Sequence, residues 1–122
     1  MERLKQLGVI LCMLGLLIVG CSPQGISPKF YEQATSLFST IDSNTEQLLI
    51  SKVEVYEELD RLKETADTPK EKEAVRLLKQ LIALQRQVIQ REETAIQKYL
   101  ELRKKIADLL VIALPPFRLV SP

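Results

Sequence analysis

The stretch TPKEKEAVRLLKQLIALQRQVI, residues 68–89, decides the fold of this chain. It opens with Thr68, Pro69 and Glu71 at the spacing of a capping box, in which threonine and glutamate bond the free N–H groups that begin a helix and proline takes the first helical position. Apolar residues then recur at alternating steps of three and four, which is the spacing of one helix face. The stretch therefore predicts an amphipathic helix that begins at residue 69.

This pattern continues to residue 109 and has a counterpart earlier in the chain. Residues 29–68 and 70–114 contain neither glycine nor proline, so two long stretches lack a helix breaker, and Ser27-Pro28 marks the start of the first. The two stripes are Tyr31, Ala34, Phe38, Ile41, Thr45, Leu48, Lys52, Val55, Leu59, Leu62 and Ala66, then Ala74, Leu78, Leu81, Gln85, Val88, Glu92, Ala95, Tyr99, Leu102, Ile106 and Leu109.

Such a sustained seven-residue repeat is typical of coiled coils. It predicts an all-α fold, a long antiparallel helical hairpin of two helices at about 28–66 and 69–114 with a tight turn at 66–68. Two such hairpins could pair into a four-helix bundle. The segment STIDSNTEQ, residues 39–47, has low helix propensity and offers an alternative cap at Ser43–Glu46. Because the heptad phase passes through it unbroken, we expect one helix there and leave a break open.

Four polar residues interrupt the apolar stripes. If facing residue numbers sum to about 137, Lys52 meets Gln85 and Thr45 meets Glu92. Polar groups buried in one layer can hydrogen-bond each other and so fix the register of two helices. The sequence predicts two such layers, although chance could also produce this pairing.

A second apolar column runs beside the stripe of the later helix. It consists of Val75, Ile82, Ile89 and Ile96, and it resumes at Leu110 after Arg103. A two-helix seam covers only two columns, so a third column indicates a bundle with more helices. We expect a homo-oligomer or a helical partner on this face, with a monomer as the alternative.

The first 21 residues have the order of a secretory signal: a charged start, about 13 apolar residues from Leu7 to Val19, and then small Gly20. The apolar run is too short for a spanning helix. Ile18-Val19-Gly20-Cys21 resembles the lipobox of bacterial lipoprotein precursors. The resemblance implies cleavage between Gly20 and Cys21, with Cys21 lipidated as the first residue of the mature chain. It covers about 22 residues, and no family is recognised for the rest.

The domain plan that follows has four parts: a signal peptide at 1–20, a lipidated tether at 21–27, the hairpin at 28–114 and an apolar, proline-rich tail at 115–122. The mature chain keeps a single cysteine, which agrees with a thiol capped by lipid because no disulfide partner remains. The resemblance implies export and anchoring to a bacterial cell membrane, the outer membrane being an option in a Gram-negative host.

The composition argues against several functions. The chain has no histidine, and removing residues 1–20 takes away two basic residues and one acidic residue, which leaves 15 of each sign. Histidine-based metal sites and catalytic dyads are therefore excluded. A net charge of zero also provides no excess of positive charge to bind the phosphates of nucleic acid. We predict no enzyme activity, no cofactor and no small-molecule substrate. Clustered glutamates such as Glu57 and Glu58 are best explained as a solvated helix face.

The end of the chain has two interpretations. In LLVIALPPFRLVSP, residues 109–122, Phe117, Leu119 and Val120 could enter the membrane interface beside the lipid, or the tail could fold onto Phe30, Tyr31 and Ile106 and close the bundle. The run Arg103-Lys104-Lys105 could favour the helix dipole or face anionic headgroups. Together these features predict a small envelope lipoprotein that acts as a helical binding, spacer or structural module. The alternatives are a secreted, unlipidated effector and a carboxylate-based envelope enzyme.

Overall fold

Helices make up most of the chain in the computed structural model, which describes residues 22–120. These residues contain no strand, so the all-α prediction is confirmed. The helices are α1 (Pro28–Glu46), α2 (Val53–Thr65), α3 (Pro69–Ile89) and α4 (Glu93–Leu110).

The two predicted helix starts are present in the structure. The Ser27 side chain accepts a hydrogen bond from the backbone N–H of Phe30 at 3.3 Å and caps α1. At the start of α3 the capping box is complete, because Glu71 N–H donates to Thr68 Oγ1 and Thr68 N–H donates to the Glu71 carboxylate. The turn between α2 and α3 occupies residues 66–68, as predicted.

The predicted continuity of the two long helices is wrong. Residues 47–52 separate α1 from α2, residues 90–92 separate α3 from α4, and α4 ends at Leu110 rather than near residue 114. A two-helix hairpin would leave its extra apolar columns in water. In the structure the chain forms four shorter helices, and these pack against one another so that the apolar columns are covered.

Three helices end in the same backbone motif. A residue in the left-handed region follows the helix, and the next N–H bonds back to a carbonyl five residues earlier, which is the Schellman arrangement that glycine usually supplies. Here Leu48, Arg91 and Val111 take that position with φ of 63°, 64° and 53°. The closing bonds are Leu49 N–H to Asn44 O at 2.8 Å, Glu92 N–H to Gln87 O at 3.1 Å and Ile112 N–H to Ala107 O at 3.0 Å.

Helix α3 is the centre of the bundle and contacts each of the other three helices. Ser27 bonds Glu71 near the starts of α1 and α3, and Thr45 bonds Gln85 near their ends, so these two helices run in the same direction. We call the end with Ser22–Ser27 and the α2–α3 turn the tether end, and the end with residues 47–52 and 90–92 the loop end. The fully buried large apolar side chains and Tyr99 form the core: Phe30, Ile41, Leu62, Leu78, Leu81, Val88, Tyr99, Ile106 and Leu110.

Candidate functional site

A buried ion pair joins α1 to α4. Arg103 donates from Nε to Asp42 Oδ1 and from a terminal nitrogen to Asp42 Oδ2, both at 2.8 Å. The side chains are only 4% and 8% exposed. Two parallel charge-assisted bonds fix the orientation of both groups, and burial makes an unpaired partner costly. The pair therefore defines how α4 sits against α1.

Tyr99 and Thr45 extend this pair into the core. The Tyr99 hydroxyl lies 3.1 Å from Asp42 Oδ1 and 2.9 Å from Thr45 Oγ1. Thr45 donates its own proton to Ile41 O at 2.7 Å, so it accepts from Tyr99. Burial raises the pKa of the Tyr99 hydroxyl, and the charge of Asp42 acts in the same direction. Tyr99 is therefore a neutral hydrogen-bond donor here.

Gln85 connects the same network to the loop between α1 and α2. Its Nε2 donates to Thr45 Oγ1 at 2.8 Å, and its Oε1 accepts from Ser51 N–H at 3.1 Å and from Ser51 Oγ at 2.6 Å. All three side chains are buried. We call Asp42, Thr45, Ser51, Gln85, Tyr99 and Arg103 the polar network.

The tail docks on this network. Arg103 donates to Pro115 O at 2.8 Å, and its guanidinium lies 4.9 Å from the centre of the Phe117 ring. Phe117 also packs on Tyr99, with ring centroids 5.1 Å apart. Further along, Val120 N–H donates to Glu46 O at 2.9 Å and Arg91 donates to Val120 O. The tail thus runs between α1 and α4 towards the loop end.

The polar network joins α1, α3, α4 and the loop between α1 and α2. Its carboxylate, guanidinium, amide and hydroxyls bond one another or the backbone. Within residues 22–120 no group of three or more Cys, Asp or Glu side chains is placed to hold a metal ion. In the same part of the chain, no helix is both long enough and apolar enough to cross a bilayer.

A second polar centre fastens the tether, residues 22–27, to the bundle. Glu71 is buried and accepts from the backbone N–H groups of Ser27 at 2.9 Å, Asp67 at 2.8 Å and Thr68 at 3.1 Å. Burial alone would raise the pKa of this carboxyl, but the three N–H donors outweigh it and lower the pKa to about 2. Glu71 therefore joins the tether to the α2–α3 turn as a carboxylate.

The tether itself forms a turn. Ile26 N–H donates to Pro23 O at 3.1 Å, and Gly25 has φ of 86°, a conformation that favours glycine. Thr68 Oγ1 donates to Gly25 O, and Lys70 Nζ donates to Gln24 O at 3.0 Å. Ile26 is buried. The chain that follows Cys21 is thus held against the tether end.

Four large apolar side chains are exposed at the opposite end. Leu49, Ile50, Val53 and Tyr56 are each between 43% and 63% exposed. They occupy the loop after α1 and the first turn of α2. We call them the distal cluster, because the loop end is the one farther from the tether.

The predicted polar layers form only in part. Thr45 and Gln85 are buried and bond each other, but Lys52 and Glu92 are exposed, so the pairs Lys52–Gln85 and Thr45–Glu92 are wrong. Lys52 and Glu92 stand just before α2 and α4 as N-cap residues, in extended conformation. Because the helices break at residues 47–52 and 90–92, Lys52 and Glu92 do not belong to the buried helix stripes.

The predicted association column and tail also differ from expectation. Val75 and Ile82 are buried, and Ile89 and Ile96 are half-buried, so the chain itself covers most of this column. Phe117 and Leu119 are half-buried against the core, which agrees with the alternative in which the tail covers the bundle, and Val120 is exposed. Insertion of the tail into the membrane interface stays a prediction. The tail does cover the bundle, but over Tyr99 rather than over Phe30.

Two further predictions concern Arg103 and the signal peptide with its lipobox. Arg103 is paired inside the protein and cannot face headgroups. The signal peptide and the lipobox at Gly20 and Cys21 lie outside the described residues and stay predictions.

Neither Asp42 nor the pairing of Arg103 was predicted from the sequence. One signal was present, because Arg103 interrupts an apolar column that resumes at Leu110. A charge inside such a column indicates a buried partner. Nothing local identified that partner as Asp42, which lies 61 positions away.

No protein-family model, curated protein or solved structure matches this chain.

Proposed function

We propose that this protein is a lipid-anchored component of the bacterial cell envelope whose helical bundle acts as a binding or spacing module. The lipobox-like sequence supplies the anchor at Cys21. The observation that carries the proposal is the opposite placement of tether and distal cluster. The docked tether leaves the bundle at one end, and the exposed apolar side chains lie at the other.

The length of the bundle sets the distance between the membrane and the distal cluster. Helix α1 has 19 residues and therefore spans about 28 Å at 1.5 Å per residue. With Cys21 in the membrane, the distal cluster stands beyond the headgroup region. Its four side chains would form a protein-binding surface, because exposed apolar patches on otherwise polar molecules mark interaction sites.

The anchor is tested by metabolic labelling with a fatty-acid analogue. We expect label on the wild type and none on Cys21→Ala, which should also accumulate as the full-length precursor. Cys12→Ala is the matched control, because it removes the other cysteine and should leave labelling unchanged. Normal processing of Cys21→Ala without lipid on the wild type would identify a secreted protein instead.

The binding surface is tested by photo-crosslinking in the native envelope. A crosslinker at Ile50 should capture a defined envelope protein or a second copy of this chain. The same group at Leu100, which is 40% exposed on α4, is the control. Equal capture from both positions, or from neither, would remove the distal cluster as the binding surface.

A further inference from the structure

A basic groove runs between α2 and α3. Val75 forms part of its floor, and Ala66 is half-buried beside it. Lys63, Lys72, Arg76 and Lys79 are exposed around this floor, and the groove encloses about 400 Å³. Its lining contains no carboxylate.

The groove keeps most of its positive charge. Arg76 bonds Glu73 on the same helix at 2.7 Å, and this contact lowers the pKa of Glu73. Lys63, Lys72 and Lys79 take part in no salt bridge among residues 22–120. Within the described part of the chain, three lysines therefore present ammonium groups that form no close ion pair above an apolar floor.

The groove opens at the tether end. Lys63 lies in the last turn of α2, Lys72 in the first turn of α3, and between them Lys70 bonds the tether at Gln24 O. Ser22 follows Cys21 directly, and consecutive Cα atoms are about 3.8 Å apart. Acyl chains on Cys21 would thus bring this end within the range of the headgroup potential, which falls off over about 8–10 Å.

We propose that this groove binds the phosphate headgroups of anionic phospholipids where it opens at the tether end of the bundle. The ammonium groups match the phosphates, and the apolar floor receives the hydrocarbon just below them. The location of the groove near the bilayer rests on the proposed lipid anchor. The chemistry of the groove does not.

The test uses residues 22–122 without lipid, which retain every described contact of the bundle. Vesicles of phosphatidylglycerol and phosphatidylcholine in equal parts are compared with pure phosphatidylcholine. We expect at least about tenfold tighter binding to the anionic vesicles, since each lysine near such a surface contributes attraction. Raising the salt concentration should reduce this preference.

Two triple variants locate the binding. Lys63→Gln, Lys72→Gln and Lys79→Gln together should abolish the preference, whereas Lys52→Gln, Lys98→Gln and Lys104→Gln should retain it, although both sets remove three charges. Circular dichroism checks that each folds, and Lys79→Gln alone gives a milder variant that should lose part of the preference.

Equal losses in both triple variants, or no preference in the wild type, would overturn the proposal. Because the chain tested carries no lipid, its failure leaves the labelling of Cys21 unaffected. Conversely, a failure of labelling leaves the vesicle result interpretable.

Discussion

Asp42 and Arg103 lie 61 positions apart and meet as a buried pair with two hydrogen bonds of 2.8 Å. Removing one partner would leave the other charged and unpaired. We expect Arg103→Met to lower the free energy of unfolding by about 3–5 kcal/mol, measured by urea denaturation. The double variant with Asp42→Leu should recover much of that loss, because no buried charge remains. A double variant as unstable as the sum of the single changes would contradict this.

The tail should be held mainly by Phe117. Phe117→Ala removes its ring contacts with Tyr99 and Arg103, and we expect a loss of roughly 1–2 kcal/mol in unfolding free energy. The tail should then open more often, so trypsin should cleave after Arg118 faster than in the wild type. Val120→Ala is the control, since Val120 is exposed and bonds through its backbone. Unchanged cleavage in Phe117→Ala would show that the ring does not hold the tail.

Glu71 should make stability depend on pH. Its pKa is lowered from 4.5 to about 2, so its contribution is complete above pH 4.5 and is lost as the pH falls towards 2. Glu71→Gln should therefore be less stable than the wild type at pH 7, by about 1.5–3 kcal/mol. The two proteins should converge as the pH falls below about 2, where Glu71 becomes mostly protonated.

The control for this pH profile is Glu73→Gln. Among the described residues Glu73 bonds only the exposed Arg76 side chain, so its removal should have little effect on unfolding. A difference between wild type and Glu71→Gln that stays constant from pH 7 to pH 2 would rule out the proposed role of the charge.

Val111 should be replaceable with a gain in stability. It is β-branched, has φ of 53° and is 71% exposed, so its side chain packs little while its backbone is strained. Val111→Gly should raise the unfolding free energy by about 1 kcal/mol, measured by thermal denaturation. Val111→Ala keeps the Cβ atom and should gain much less. A loss of stability in Val111→Gly would mean that the exposed side chain contributes more than the strain.

The sequence predicted helix starts better than helix ends. Starts depend on side chains with definite chemistry, so Ser27-Pro28 and the Thr68–Glu71 box were recognisable. The ends at Glu46 and Ile89 depend on Leu48 and Arg91 in the left-handed conformation. All four glycines precede residue 26, so the usual stop signal was absent and the heptad pattern continued across both breaks.

The polar network was predictable only where it coincided with the stripes. Thr45 and Gln85 stood out as polar residues at core positions, and they do bond each other. Asp42 lies beside the stripe, where an acidic residue is ordinarily solvated. Its burial depends on the way α4 and the tail return over α1, which no local pattern specifies.

The docked tether and tail also determine how the molecule would carry a mechanical load. The described chain enters at the tether end and reaches the loop end at Val120, beside Arg91. Tension between its two termini would act along the helix axes and would stress the hydrogen bonds at both ends of α1 at the same time. We expect single-molecule stretching from these ends to give one rupture at high force, whereas a series of small steps would show sequential opening. A bundle pulled in this geometry resists tension through these hydrogen bonds together. At the tether end the force is applied at Ser22, the residue next to Cys21.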